Sequence, residues 1–137
     1  MTFKSDLQFG KAYEEKYEDI LKLKFGKLLH KSPNYQFKDY DYKFQKASVE
    51  IKADRLVQKT GNFFIEYECK GNLSGLQSSK STHYLLINSS LENDAYLIKT
   101  IELKNLCINC RKIRGGDNMA SKGFLLSINL LKRFKMI

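Results

Sequence analysis

The stretch 39–70, DYDYKFQKASVEIKADRLVQKTGNFFIEYECK, decides the fold because apolar and polar side chains alternate along it in three successive runs. Alternation with a period of two is typical of half-buried β-strands. The turn residues at 60–62 separate the last two runs. The first run carries Asp41, the second Glu50-Ile51-Lys52 and the third Glu66. Strands are therefore expected near 38–46, 48–54 and 62–70.

Strand geometry brings charged groups of this stretch together. Successive side chains alternate faces, so Glu50 and Lys52 point the same way, about 6.5 Å apart along the backbone. Asp41, on the preceding strand of a hairpin, can lie opposite Glu50. Two carboxylates and an ammonium group on one patch destabilise the fold unless a divalent cation is present. Such a cluster therefore suggests a functional site. Asp39 shares a face with Asp41 and is the main alternative to it as the acid of this patch.

The elements around this stretch indicate a mixed sheet with helices packed against it. A helix is expected from Asp6 to about His30, where apolar residues recur at three- and four-residue steps. The polar segment 72–81 should form a loop or short helix. The order α-β-β-β-(α)-β-(β)-α predicts an α/β or α+β fold in one domain, 1–137. Its later elements are a buried strand at 83–87, a strand at 94–98, a helix at 99–110 and, after 120, a short strand with a basic C-terminal helix.

The net charge of the chain indicates which kind of partner it binds. Twenty-four basic and fifteen acidic residues give a net charge of +9, which favours nucleic acid first and an anionic membrane second. Residues 101–137 alone carry a net +6. No apolar run is long enough to span a membrane, and the N-terminus has no signal-peptide core. Three cysteines without an export signal fit a reducing cytoplasm, so we expect a cytoplasmic protein.

The first helix, the three strands and the Asp…Glu-x-Lys spacing resemble the PD-(D/E)XK nuclease superfamily, which has the restriction-endonuclease-like fold. Small phage-encoded and Holliday-junction-resolvase-like members are the most similar branch. The segments VEIKADRLVQKTGNFFIEYECKGNLSGLQSSKSTHYLLI and RGGDNMASKGFLL are similar to runs in phage proteins of this group. The resemblance covers about 9–127, although Tyr40 stands where many members have proline.

The resemblance implies a metal site. Asp41 and Glu50 would hold Mg²⁺ together with the backbone carbonyl of Ile51, and Mn²⁺ would substitute. Lys52 would orient or deprotonate the attacking water, or stabilise charge near the phosphate. Glu66 is a secondary site residue on the third strand.

Some relatives add a glutamate from the first helix, and Glu14 is the best placed candidate. It lies on the stripe of Leu21 and Phe25, so it should face the body of the protein. Glu15 points away from this stripe, and Glu18 lies nearer its edge.

The function that the resemblance implies is a Mg²⁺-dependent DNA endonuclease, acting as a homodimer, with a branched Holliday junction as one candidate substrate. Two alternatives stay open. A nuclease could act on RNA or unbranched DNA, or the chain could be a non-catalytic basic nucleic-acid-binding module whose acids only form a solvated strand face. The expected nucleic-acid contacts are Arg111, Lys112, Arg114, Lys122, Lys80 and Lys70.

Cysteine and histidine give weaker signals. Cys107-x-x-Cys110 has no second CxxC partner, and a structural zinc site needs four ligands, so these cysteines are expected to be small apolar residues on a helix. His30 and His83 lack recognisable triad partners, which argues against a nucleophilic serine or cysteine hydrolase.

Overall fold

Two β-sheets and a few helices build the protein in a computed structural model, which describes residues 16–32, 41–91, 93–115 and 119–136. The helices are α1 (16–25), α2 (Val57–Thr60), α3 (Thr100–Cys107) and two 3₁₀ segments, Gly75–Gln77 and Ile128–Phe134. The strands are β1 (Leu28–Lys31), β2 (Tyr42–Phe44), β3 (Ser48–Asp54), β4 (Asn62–Cys69), β5 (Asn72–Leu73), β6 (His83–Asn88), β7 (Ala95–Lys99), β8 (Arg111–Gly115) and β9 (Ser121–Ser127).

The first sheet is mixed and has the strand order β1-β2-β3-β6-β7. Its strands β1, β2 and β3 form an antiparallel meander, and β6 joins β3 in parallel. The second sheet has the order β5-β4-β9-β8 and is antiparallel. The α+β class expected from the sequence is confirmed.

Two apolar clusters cover opposite sides of the first sheet. On one side, Tyr17, Leu21 and Phe25 of α1 pack with Val49 of β3 and Leu85 of β6. The other side packs against the second sheet and α3. That second cluster includes Tyr84, Leu86, Phe63, Ile65, Phe124 and Leu103. Because side chains alternate along β3, Glu50 and Lys52 lie on the face opposite to Val49, away from α1.

The expected end of the first helix is wrong. The helix ends at Phe25, because Gly26 adopts a left-handed φ of 87° and its N–H donates to the Lys22 carbonyl. The chain then forms β1, which includes His30. The beginning of the predicted helix, 6–15, lies outside the described residues.

The expectation that all three strands of the charged stretch belong to one mixed sheet is wrong for the third strand. The strand 62–69 forms at the predicted place, but it pairs with β9 and β5 in the second sheet. The third strand of the meander is β1 instead, which the sequence reasoning did not foresee.

The remaining elements agree with the predictions in most respects. Strands β6 and β7 form where they were expected, whereas the helix expected over 99–110 ends at Cys107, so Cys110 lies outside it. The C-terminal basic segment is a 3₁₀ helix rather than an α-helix, and β8 was not predicted as a strand. Within the described parts of the chain, no helix is both long and apolar enough to cross a membrane.

Candidate metal and phosphate site

Asp41 lies directly beside the centre of β3. Its backbone N–H donates to the Val49 carbonyl at 3.1 Å, and its Oδ2 accepts a hydrogen bond from the Ile51 N–H at 2.7 Å. These two contacts flank Glu50 on both sides. The carboxylate of Asp41 is therefore an acceptor at the edge of β3, and the expected proximity of Asp41 to Glu50 is observed.

Glu50 is a half-buried carboxylate in an unfavourable environment. Burial raises its pKa above the usual value, and the negative charges of Asp41 and Glu66 add to this effect. The positive charge of Lys52 and the phenol of Tyr84 act in the opposite direction, but they do not cancel the cost of burial. Its Oε2 atom is buried and has no hydrogen-bond partner within the described residues. The polar side chain that acts on this carboxylate from the paired strand is Tyr84.

Lys52 follows Glu50 on the same face of β3, as the alternation predicted. Its side chain is exposed and lines a pocket of about 560 Å³ that opens beside the sheet. Arg55 and Glu66 line the same pocket, and Tyr84 forms part of its wall. The pocket thus joins two cationic side chains, Lys52 and Arg55, to two carboxylates, Asp54 and Glu66.

Glu66 lies in the second sheet, yet its charge still acts on Glu50. The Ser74 hydroxyl donates to its Oε2 at 3.0 Å, and the Ser121 hydroxyl donates to its Oε1 at 2.6 Å. The Glu66 backbone is approached so closely by Gly75 that a Cβ at Gly75 would collide with the Glu66 carbonyl. The carboxylate of Glu66 is therefore held in one orientation at the edge of the pocket.

Tyr84 is a site residue that the sequence reasoning missed. It is the register partner of Glu50 on the parallel strand β6, and it is only 1% exposed. Burial, followed by the negative charge of Glu50, raises the pKa of its phenol. The signal available in the sequence was a tyrosine within an apolar strand, because a buried phenol normally requires a polar partner.

Other acids near β3 have structural roles. Asp54, at the end of β3, accepts two backbone hydrogen bonds. Its Oδ1 accepts from the Leu56 N–H at 2.8 Å, and its Oδ2 accepts from the Phe64 N–H at 3.3 Å. These bonds fix the turn from β3 through α2 to β4.

Most of the predicted nucleic-acid contacts lie on the second sheet. Arg111, Lys112 and Arg114 are exposed on its edge strand β8. Because β8 alternates, Lys112 and Arg114 share a face, and Arg111 lies on the other one. The ammonium of Lys112 lies 5.9 Å from the ring centroids of both Tyr67 and Phe124.

The remaining basic candidates are more dispersed. Lys122 forms an ion pair with Glu68 at 3.0 Å. Lys70 and Lys80 are exposed in the connections that follow β4 and the first 3₁₀ segment.

The donor set around Glu50 suits a small hard cation. Mg²⁺ typically takes one or two carboxylates from a protein and keeps several waters. Asp41 and Glu50 supply these carboxylates. In an extended strand the N–H and C=O of a residue point to the same neighbour, so the Ile51 carbonyl lies on the edge that Asp41 occupies. Among the described residues, no set of three Asp, Glu, His or Cys side chains is placed to hold a metal ion. Glu14 and Asp39 lie outside the described residues.

The cysteines do not form part of this site. Cys107 is buried, and burial raises its pKa to about 12, while the pKa of Cys110 is also raised by burial. Thiols with raised pKa values are poor nucleophiles and poor metal ligands at neutral pH. They pack in and against the cluster between the sheets.

No protein-family model matches the chain, and neither the curated proteins nor the solved structures contain a significant match. The geometry around β3 therefore carries the functional interpretation.

Proposed function

We propose that the protein is a Mg²⁺-dependent nuclease that hydrolyses phosphodiester bonds of DNA. The observation that carries this proposal is the Glu50 carboxylate, which is half-buried beside the carboxylate of Asp41. A carboxylate that is buried next to a second acid destabilises the fold, and a divalent cation would offset that cost. The same pair of acids is what the resemblance to PD-(D/E)XK nucleases implies.

Asp41, Glu50 and the Ile51 carbonyl would hold the cation, which supplies a bound water of lowered pKa and neutralises charge at the phosphate. Asp41 is kept in place by its hydrogen bond from the Ile51 N–H. Lys52 lies on the face of Glu50 and reaches the pocket, where its ammonium can stabilise charge that develops on the phosphate. Glu66, fixed by two serine hydroxyls, provides a hydrogen-bond acceptor at the pocket edge.

Basic side chains outside the pocket support a polyanionic substrate. The net charge of +9 favours binding to the phosphate backbone, which requires no base-specific contact. The edge strand β8 offers three exposed cations in five residues. A homodimer, a branched DNA substrate and activity on RNA or unbranched DNA stay predictions. Gel filtration and cleavage of matched junction, duplex and RNA substrates would separate them.

A non-catalytic nucleic-acid-binding module is the competing function. It is favoured by the lack of a three-ligand metal cluster within the described ranges and by the exposed position of Lys52. In that case Glu50 and Lys52 would have no catalytic role, and the basic strand β8 would account for the binding of nucleic acid.

A cleavage assay separates the two functions. Labelled single-stranded, duplex and four-way-junction DNA is incubated with the protein in Mg²⁺, in Mn²⁺ and in excess chelator. Cleavage with either metal that the chelator abolishes supports the nuclease. Lys52→Ala should lose the cleavage, whereas Lys59→Ala, an exposed lysine of α2, is the matched control and should retain it. Binding without cleavage under all conditions would favour the binding module.

A further inference from the structure

Two buried oxygen atoms near the proposed metal site have no hydrogen-bond partner among the described residues. They are Glu50 Oε2 and the hydroxyl oxygen of Tyr84. The two residues are register partners on adjacent strands, so their side chains stand next to each other on the same face of the sheet. Unpartnered polar atoms are rare in protein interiors, and two of them on paired residues point to a shared role.

A second hydroxyl, that of Ser79, lies beside the Tyr84 phenol. Both Glu50 and Ser79 lie within reach of the Tyr84 phenol and shift its pKa, Glu50 upward and Ser79 downward. The Ser79 Oγ accepts a hydrogen bond from the Ser81 N–H at 3.2 Å, so its own hydrogen can be donated elsewhere. Ser79 belongs to the polar loop that follows the first 3₁₀ segment, a loop to which the proposed chemistry assigns no role.

We propose that Ser79 and Tyr84 are positioning residues that form a chain of hydrogen-bond donors ending on Glu50. The Ser79 hydroxyl donates to the Tyr84 oxygen, and the Tyr84 hydroxyl donates to Glu50 Oε2. Each hydroxyl gives one hydrogen and accepts one, so the chain is complete. This inference rests on the proposed function, because it supposes that Glu50 is a metal ligand whose orientation matters.

The physical consequence concerns the other oxygen of Glu50. A carboxylate whose Oε2 is fixed by a phenol has one orientation, so its other oxygen, Oε1, would be held in place for the cation. Groups that orient a ligand in this way typically contribute tenfold to a hundredfold to metal affinity. A purely structural tyrosine would contribute through its ring, which packs in the cluster between the two sheets.

Mn²⁺ binding to the DNA-free protein, measured by isothermal titration calorimetry, tests this chain. Tyr84→Phe keeps the ring and removes only the hydroxyl, and it should weaken Mn²⁺ binding at least about tenfold. Ser79→Ala should weaken binding by a smaller factor, and Ser79→Thr, which restores a hydroxyl, should bind as wild type does. Tyr67→Phe, a phenol deletion outside the pocket, is the matched control.

The outcomes separate this inference from the proposed function. Weaker Mn²⁺ binding by Tyr84→Phe, with an unchanged or higher melting temperature, supports the chain. Wild-type Mn²⁺ affinity in Tyr84→Phe overturns the chain and leaves the nuclease proposal intact. If Ser79→Thr binds Mn²⁺ as weakly as Ser79→Ala does, Ser79 is not part of the hydrogen-bond chain. If the wild-type protein itself binds no Mn²⁺, both the proposed function and the inference fall.

Discussion

Replacing Glu50 by Gln should separate a metal site from a solvated strand face. The substitution keeps the shape of the side chain and removes a charge that is buried with an unpartnered Oε2 atom. Because burial raises the pKa of Glu50, the ionised carboxylate destabilises the metal-free fold. The metal-free Glu50→Gln protein should therefore be as stable as wild type, or more stable.

The sign of the pH dependence follows from the same shift. A carboxyl group whose pKa is raised on folding binds its proton more tightly in the folded state. Its favourable contribution is therefore complete below the unfolded pKa, about 4.3, and is lost as the pH rises through the folded pKa. Wild-type stability without metal should decline over this window, and Glu50→Gln should decline less.

Added metal should make the wild type more stable than Glu50→Gln. A ligand at a hundredfold excess over its dissociation constant stabilises the folded state by about 2.7 kcal/mol. For 137 residues the unfolding entropy is about 0.29 kcal/mol/K, so the melting temperature of the wild type should rise by about 9 °C. Glu50→Gln should gain little.

Differential scanning calorimetry of both proteins with chelator and with Mg²⁺ measures these values. Glu102→Gln is a charge-matched control, because Glu102 lies on α3 in an exposed ion pair with Arg133 at 3.9 Å. Its metal response should equal that of wild type. Equal metal responses of wild type and Glu50→Gln would refute the assignment of Glu50 as a ligand.

Three further predictions concern the neighbouring groups. Asp41→Asn can still accept the Ile51 N–H, so it should fold normally but lose the Mg²⁺-induced rise in melting temperature; a retained rise would exclude Asp41 as a ligand. Ser121→Ala removes one donor to Glu66 and should lower the free energy of unfolding by about 1.5–3 kcal/mol in urea titrations, and an unchanged midpoint would contradict this role. Replacing the three basic residues of β8 by alanine should reduce the salt dependence of DNA binding by about three counterions, measured by fluorescence anisotropy, whereas an unchanged slope would mean that β8 faces away from the nucleic acid. Those three residues are Arg111, Lys112 and Arg114.

Local pattern was sufficient to predict the centre of the site. The alternation along β3 determines that Glu50 and Lys52 share a face, and a short connection to the preceding strand brings Asp41 beside them. Both relations depend on residues that are close in the chain. The buried strand β6 was predicted equally well, because an unbroken apolar run indicates a buried strand without reference to residues elsewhere in the chain.

Sheet partners could not be predicted in the same way. Strand β4 has the alternation expected of a third meander strand, but it pairs with β9, about 60 residues further along the chain. Alternation shows which face of a strand is apolar and does not identify the neighbouring strand. For this reason the position of Glu66 in a second sheet and the pairing of Tyr84 with Glu50 required the structure.

The end of α1 could have been predicted better. The apolar spacing continues past Phe25 to Leu28, which extended the predicted helix to His30. Gly26 is the stop signal, since glycine commonly adopts the left-handed conformation that ends a helix.

Single-turnover cleavage of DNA by wild type and Glu50→Gln, with DNA binding measured in parallel, tests the central claim most directly. The account predicts that Glu50→Gln binds DNA as wild type does and cleaves it at least about a hundredfold more slowly in Mg²⁺. Cleavage by Glu50→Gln at the wild-type rate would contradict the claim that Glu50 holds a catalytic metal ion.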